Sequence, residues 1–238
     1  MANRATNRPQ SIHSWVASEL GNRIVSGVYQ PGEYIPNETN LGEELGVSRT
    51  ALREAFKLLS AKGLIESRPK LGTRIRERKH WNMFDSVLLS WMFDSKPSPK
   101  FYESLFEIRK IFEPAAAELA ALNHTEEQIT VIADAYDKME NAKLGTDEVY
   151  STDVDFHMAI LTATNNDFMI ALGVTIQTAL MGIFRLSSGA TNKEYQDALP
   201  GHKAIYKAIE AKDPVAAKQQ MLVLLDDSQK NLEGTLEQ

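Results

Sequence analysis

The chain has 238 residues, 43% of them hydrophobic and 24% charged, with a net charge of −6 and no cysteine. This is the composition of a folded globular protein with room for one large domain or two smaller ones, and it excludes a disulfide framework and a thiolate metal site. The charge is divided: residues 1–80 hold 13 Lys/Arg against 8 Asp/Glu, a net +5, and the remainder holds 13 against 24, a net −11.

A basic first part on an acidic body suits a protein that meets a polyanion through that part alone. Met1–Gln10 is polar and without periodicity, so disorder is expected there. Ser11–Ser26 then reads as an amphipathic helix with Ile12, Val16, Leu20 and Ile24 on one face, ended by Gly27. A Pro31-Gly32 turn leads into a short strand. Glu38–Glu44 is a second helix, carrying Leu41 and Leu45 on one side. Gly46 permits a reversal, and Ser48 is placed to cap a third helix over Arg49–Ala61. Leu52, Ala55, Phe56 and Leu59 form its apolar stripe, while Arg49, Thr50 and Arg53 lie off that stripe at its start.

Leu64–Arg68 and Thr73–Arg76 read as paired strands joined by a turn over Pro69–Gly72. A helix-turn-helix followed by a basic hairpin is a winged helix. Its third helix would enter a major groove, and its wing would bring Arg68, Lys70, Arg74 and Arg76 to phosphates. Any amphipathic helix with exposed arginines shares part of this pattern, so the order of cap, helix and wing carries the reading.

The basic connector Arg74–His80 marks the boundary, giving a DNA-binding domain over 11–78 and a second domain over 79–238. Beyond it the apolar period is helical nearly throughout. Helices are expected at Trp81–Asp94, Pro99–Leu122, Thr125–Lys143, Thr146–Thr164, Asp167–Ser187, Lys193–Ala211 and Pro214–Leu236. Pro114 should kink or divide the second of them. Phe168–Phe184 is mostly apolar but interrupted and short for a membrane span, so it reads as a buried helix. With no signal-type segment at the N-terminus, a cytoplasmic location is expected, on the nucleoid when bound to DNA.

Three ionisable residues occupy apolar stripes. Asp153 and His157 lie four apart on the face Val149, Asp153, Phe156, His157, Ile160, Thr164, and His202 shares a face with Ile205 and Ile209. A carboxylate and two imidazoles meeting inside a bundle could hold a divalent metal, or could be an Asp–His hydrogen-bonded pair and a separate core histidine. Arg109 sits beside the stripe Leu105, Ile108, Phe112; its guanidinium could take a carboxylate bidentately or pair with a nearby Glu or Asp.

Ile35-Pro36-Asn37-Glu38, Val47 to Ala55, Gly63-Leu64-Ile65 and Gly72-Thr73 closely resemble the N-terminal domain of GntR-type bacterial transcription regulators, over about Ser11 to Ile75. The resemblance implies operator contacts from Ser48, Arg49, Thr50 and Arg53, with Gly72 close to the DNA backbone. One departure is Thr39, where many relatives carry a basic residue. Glu107-Ile108-Arg109, Glu113-Pro114, Asp153 to Ile160 and His202 to Ile205 look like the all-helical FCD effector domain of the FadR subfamily. That likeness implies metal ligation by Asp153, His157 and His202, with zinc or nickel as the metal. A further family histidine in the last helix is here Leu224. The stretch from Trp81 to Trp91 is similar to the opening helix of sugar-acid-responsive members.

The expected fold is therefore mostly α: a winged helix-turn-helix domain followed by an all-α bundle. The expected function is a homodimeric repressor of sugar-acid catabolism that binds palindromic operator DNA and is released from it by a small carboxylic acid, a sugar acid. Arg109 would meet the carboxylate, with Thr164, Gln177 and Arg185 around a polyol tail. Two rivals stand beside it. A metal-dependent enzyme with a nucleic-acid domain lacks a separate general base. A fatty-acyl-responsive regulator would want an apolar channel in place of inward Asp and His.

Overall fold

A computed structural model of the chain describes residues 11–68, 70–95, 97–186 and 192–236. The expected disorder of residues 1–10 lies outside them. The chain divides into two compact units, one through Lys96 and one from Pro97.

In the first unit, α1 (Ile12–Val25), α2 (Glu38–Leu45) and α3 (Arg49–Ala61) pack into one small core. Leu20, Leu41, Leu52 and Leu59 are each at most 1% exposed. At about 1.5–3 kcal/mol per buried side chain, they hold the three helices together. Ile12, expected on the inward face of α1, is 64% exposed; it is the first residue of the helix, before the buried positions Val16, Leu20 and Ile24. The turn is built as the residues demand. Gly46 ends α2 at φ 65°, and the Ser48 hydroxyl accepts the Ala51 N–H at 3.2 Å. Asn37 caps α2 by accepting from the N–H groups of Thr39 and Asn40, each at 3.0 Å.

The wing is β1 (Ile65–Arg68) against β2 (Gly72–Ile75), antiparallel, with Ile65 opposite Ile75 and Arg68 opposite Gly72. The expected strand after Pro31-Gly32 is a single bridge between Tyr34 and Arg74, supported by the Ile35 N–H donating to the Thr73 carbonyl at 3.0 Å. Gly63 joins α3 to β1 at φ 76°, and a Cβ there would lie 2.1 Å from the His80 carbonyl oxygen. Gly63→Ala combines a left-handed backbone with a backbone clash. It is expected to lower the stability of this unit by about 1–3 kcal/mol, read as a lower urea midpoint of the full chain.

The first unit continues past the expected boundary at 78/79. Residues 78–80 form a short 3₁₀ turn, and α4 (Ser86–Asp94) packs on α1. The Trp91 ring lies against Gly21, where an added Cβ would come within 2.3 Å of it. Lys62 pairs with Asp85 at 2.7 Å, and Asp85 also accepts the Leu88 N–H at 2.8 Å, capping α4. Trp81–Asp85, expected as the first turn of this helix, is therefore its capped approach.

The second unit is helical: α5 (Pro99–Asn123), α6 (Glu126–Glu140), α7 (Glu148–Ala163), α8 (Asp167–Leu186), α9 (Asn192–Glu210) and α10 (Pro214–Leu236). The Thr125 hydroxyl and the Gln128 side chain form a capping box at the start of α6. α10 packs on α5 and α9, α6 on α7, and α7 on α5 and α8. The core between them contains Ile132, Met139, Phe156, Ile160, Ile205 and Leu225, each at most 1% exposed. Pro114 does not divide α5. Its ring removes one helical hydrogen bond, at a cost of about 3 kcal/mol, which burial of the flanking Phe112, Ala116, Ala117 and Ala120 outweighs.

Candidate nucleic-acid interface and candidate metal centre

The start of α3 is an exposed polar face. Ser48, Arg49, Thr50 and Arg53 are all exposed there, while Leu52, Ala55 and Leu59 hold the opposite side in the core. Two contacts from α2 shape it. Arg49 Nη2 donates to Thr39 Oγ1 at 3.2 Å, and Arg53 Nε donates to Glu38 at 3.0 Å. Thr39 thus acts on a neighbouring guanidinium. Exposed contacts of this kind are worth about 0.2–1 kcal/mol, less than the ~1–3 kcal/mol of a bidentate base contact, so DNA can displace them. On the wing, Lys70 stands exposed at the turn with φ 64°, and Gly72 follows at φ 105°. Arg68 and Arg74 both donate to Glu66, at 3.0 Å from Arg68 Nη2 and 3.0 Å from Arg74 Nε. Those two wing arginines are internally paired, whereas Lys70 projects.

In the second unit, α7 and α9 bring Asp153, His157 and His202 together, and one donor atom from each lies within 4.8 Å of the others. The expected inward face of α7 is buried at every position, from Val149 at 7% to Phe156 at 0%. His202 Nδ1–H donates to the Ala198 carbonyl at 2.9 Å, so in the neutral ring Nε2 carries the lone pair. That Nε2 lies 3.1 Å from Asp153 Oδ1 but off the hydrogen-bond line, and it has no hydrogen-bond partner. Asp153 Oδ2 is also without one, 3.8 Å from His157 Nε2. The His157 and His202 rings meet edge to face, with centroids 5.6 Å apart, and Phe156 packs edge-on against both.

Buried polar atoms are rarely left unpaired, because each costs about 1–3 kcal/mol. Here a carboxylate oxygen and an imidazole lone pair face each other across a short gap. A divalent cation bound by two imidazoles and a carboxylate would satisfy them, and the donor set suits zinc or nickel. Burial pushes the Asp153 carboxyl up, but the approach of His202 and the charge of His157 outweigh it and leave the group below the usual range. It is therefore an anion at neutral pH, as a ligand must be.

Arg109 lies on the buried stripe of α5, with Phe106 and Phe112, at 3% exposed; Ile108, expected inward, is 46% exposed. Arg109 Nε donates to Glu113 Oε1 at 2.6 Å. The pairing with a nearby acid, one of the two alternatives for this residue, is thus formed. Glu113 was not singled out from the sequence as a site residue. It is 2% exposed, and its Oε2 lies 2.9 Å from His157 Nδ1. Burial raises its pKa, and the charges of Arg109 and His157 overcome that and hold it at about 2. The signal in the sequence was an Arg and a Glu four apart on a stripe that is otherwise apolar.

The remaining expected residues do not gather there. The Thr164 hydroxyl donates to the Leu161 carbonyl at 2.7 Å at the far end of α7, so it is committed to ending that helix. Gln177 is half-buried on α8, and no contact among the described residues joins it to the cluster. The side chain of Arg185 lies outside the described residues. Leu224 is 8% exposed and packs toward Gly201, the residue before His202, bringing methyl groups and no donor to that part of the core.

A winged helix with an exposed polar recognition face, joined in one chain to a helical bundle with a buried ligand-type cluster, defines a DNA-binding transcription regulator of the effector-responsive class. Residues 13–75 match the family described as bacterial regulatory proteins, gntR family, and residues 104–227 match the FCD domain. The chain belongs to the GntR family, in its FCD-bearing branch. It is 30% identical over 213 residues to the galactonate operon transcriptional repressor of Escherichia coli K12, covering 90% of this chain and 93% of that one. It is 30% identical over 236 residues to the Uxu operon transcriptional regulator of the same organism, covering 96% and 90%. Among solved structures it is similar to a Streptococcus agalactiae GntR protein, at 28% identity and a TM-score of 0.50, covering 92% of this chain and 99% of that one. No helix among the described residues is long and apolar enough to cross a membrane.

Substitutions at the exposed start of α3 and on the wing test the candidate DNA contacts. Arg49→Ala is expected to weaken specific binding by about 1–3 kcal/mol. Lys70→Ala is expected to weaken specific and non-specific binding alike and to flatten the salt dependence. Gel shifts at fixed salt, on an operator selected from random duplexes by the protein itself, measure both. Unchanged affinity for Arg49→Ala would remove α3 as the reading helix.

Proposed function

We propose that this protein is a homodimeric repressor of sugar-acid catabolism, released from a palindromic operator when a hexonate-type acid binds its FCD unit. The observation that carries the reading is the buried Asp153, His157, His202 cluster, with its unpaired donor atoms, in a chain similar to a galactonate operon repressor. Asp153, His157 and His202 would hold zinc or nickel, and a three-ligand metal keeps positions for a carboxylate oxygen and an adjacent hydroxyl. Leu224 in place of a fourth histidine leaves one more such position. Arg109 has guanidinium N–H groups beyond the one that Glu113 accepts, and these would take the remaining carboxylate oxygen.

On the DNA side, one α3 from each protomer would enter successive major grooves of a two-fold site, with Lys70 and the Gly72 backbone at phosphates. Acid binding would order the effector unit and shift the population away from the operator-competent spacing of the two reading helices. A fatty-acyl effector fits less well, since a buried ionic cluster is costly to set against an acyl chain.

Calorimetry of the zinc-loaded protein with galactonate, gluconate, galacturonate and glucuronate tests the reading. At least one of the four should bind tighter than millimolar. If none does while a long-chain acyl thioester or a dicarboxylate binds, the sugar-acid assignment is wrong.

A further inference from the structure

The metal reading of the cluster uses Asp153, His157 and His202 and leaves a second buried ionic pair unexplained. Arg109 and Glu113 are 3% and 2% exposed and pair with each other, and Glu113 meets His157 on the side away from Asp153. The His157 ring is thus flanked at both nitrogens by carboxylates. Glu113 Oε2 lies 2.9 Å from Nδ1, and Asp153 Oδ2 lies 3.8 Å from Nε2. As a metal ligand the ring must be neutral, and it then has one proton for these two positions. If it sits on Nε2, the ring cannot ligate on the Asp153 side. If it sits on Nδ1, Nε2 presents its lone pair toward Asp153 and His202. A histidine ligand needs an acceptor for its second ring N–H, and that acceptor sets both tautomer and ring orientation.

Glu113 is placed to be that acceptor. Its Oε1 accepts from Arg109 Nε at 2.6 Å, which leaves Oε2 turned to His157 and without any hydrogen-bond partner of its own. The Nδ1–Oε2 approach is close but off the hydrogen-bond line, so a modest ring rotation is what alignment requires. Glu113 does not present Oε2 to the gap between Asp153 and His202, which sets it apart from the ligands. Arg109 supplies the fixed charge that keeps Glu113 aimed.

We propose that Glu113, held by Arg109, is a positioning residue for the metal centre, fixing the His157 proton on Nδ1 so that Nε2 faces Asp153 and His202. The proposal rests on the metal reading of that cluster. It gives Arg109 a second task, orienting a ligand's acceptor as well as meeting the effector, and so links the acid-binding and metal-binding ends of one buried chain of contacts.

The test compares full-length wild type with Glu113→Gln, each stripped by chelator and titrated with zinc against a chromophoric competitor. Glu113→Gln should bind zinc about 10- to 100-fold more weakly, the usual consequence of losing an outer partner. Because Gln leaves the Arg109 charge less compensated, the double variant Arg109→Gln/Glu113→Gln removes both charges together, and it should show the same loss. Glu118→Gln, on the same helix and paired with Lys218 near the surface, should bind as wild type. Nitrogen-15 spectra of the zinc-loaded wild type should place the His157 proton on Nδ1. Equal zinc affinity in wild type and in either Glu113 variant would overturn the proposal, and so would a His157 proton found on Nε2. A wild type that binds neither zinc nor nickel would sink the metal reading first and this inference with it.

Discussion

Arg109→Ala should destabilise the helical unit by on the order of 3–5 kcal/mol, the cost of removing one partner of a buried ion pair. The cause is what remains behind. Glu113 stays 2% exposed with its carboxylate facing His157, and the guanidinium that offset its burial is gone. Burial then opposes the Glu113 anion with only His157 left to offset it, so the Glu113 pKa should rise and the buried carboxylate is poorly compensated. A surface pair between α5 and α10 provides the control: Lys218 to Glu118 is about half exposed on the lysine side, and Glu118→Ala should cost at most about 1 kcal/mol. Urea unfolding of the full chain, followed through the helical signal, measures both. An Arg109→Ala cost no larger than that of Glu118→Ala would mean that the pair is water-accessible and that Arg109 is not part of a dry site.

The second large effect is on metal. His157→Ala removes one of three donors and the central member of the line Glu113–His157–Asp153. Its zinc affinity should fall by more than the ~10–100-fold that an outer-partner substitution costs. Wild type should also melt at a higher temperature with added zinc or nickel, since a ligand that binds the folded state stabilises it, and His157→Ala should lose that gain. Elemental analysis of protein purified without chelator gives an independent reading. No bound metal, together with no thermal shift, would leave Asp153, His157 and His202 as a hydrogen-bonded core cluster.

Much of this site is legible in the sequence, because helical periodicity is a local property. Asp153 and His157 fall on one buried face with Val149, Phe156 and Ile160 by spacing alone, and His202 falls on another with Ile205 and Ile209. Gly46 and Ser48 likewise announce the turn and cap that set α3. What stays hidden depends on contacts between segments far apart in the chain. Nothing local in Gly21 says that it makes room for Trp91, and that contact draws α4 into the first unit and moves its end from residue 78 to 96. Glu113 hides differently. An Arg and a Glu four apart beside an apolar stripe leave open a pair at its solvated edge, and the packing of α5 against α7 and α9 puts this pair in the core. Pro114 invites a broken helix, yet the apolar residues on both sides hold α5 together across it.

An acid bound in the FCD unit is expected to lower the affinity of the winged helix for its operator. Fluorescence anisotropy of a labelled operator, bound by the zinc-loaded protein and titrated with galactonate, measures this release. Release in the submillimolar range, lost in His157→Ala and absent with an equal concentration of sodium chloride, is the expected result. An operator complex that stays intact at saturating galactonate, gluconate, galacturonate and glucuronate alike would contradict it.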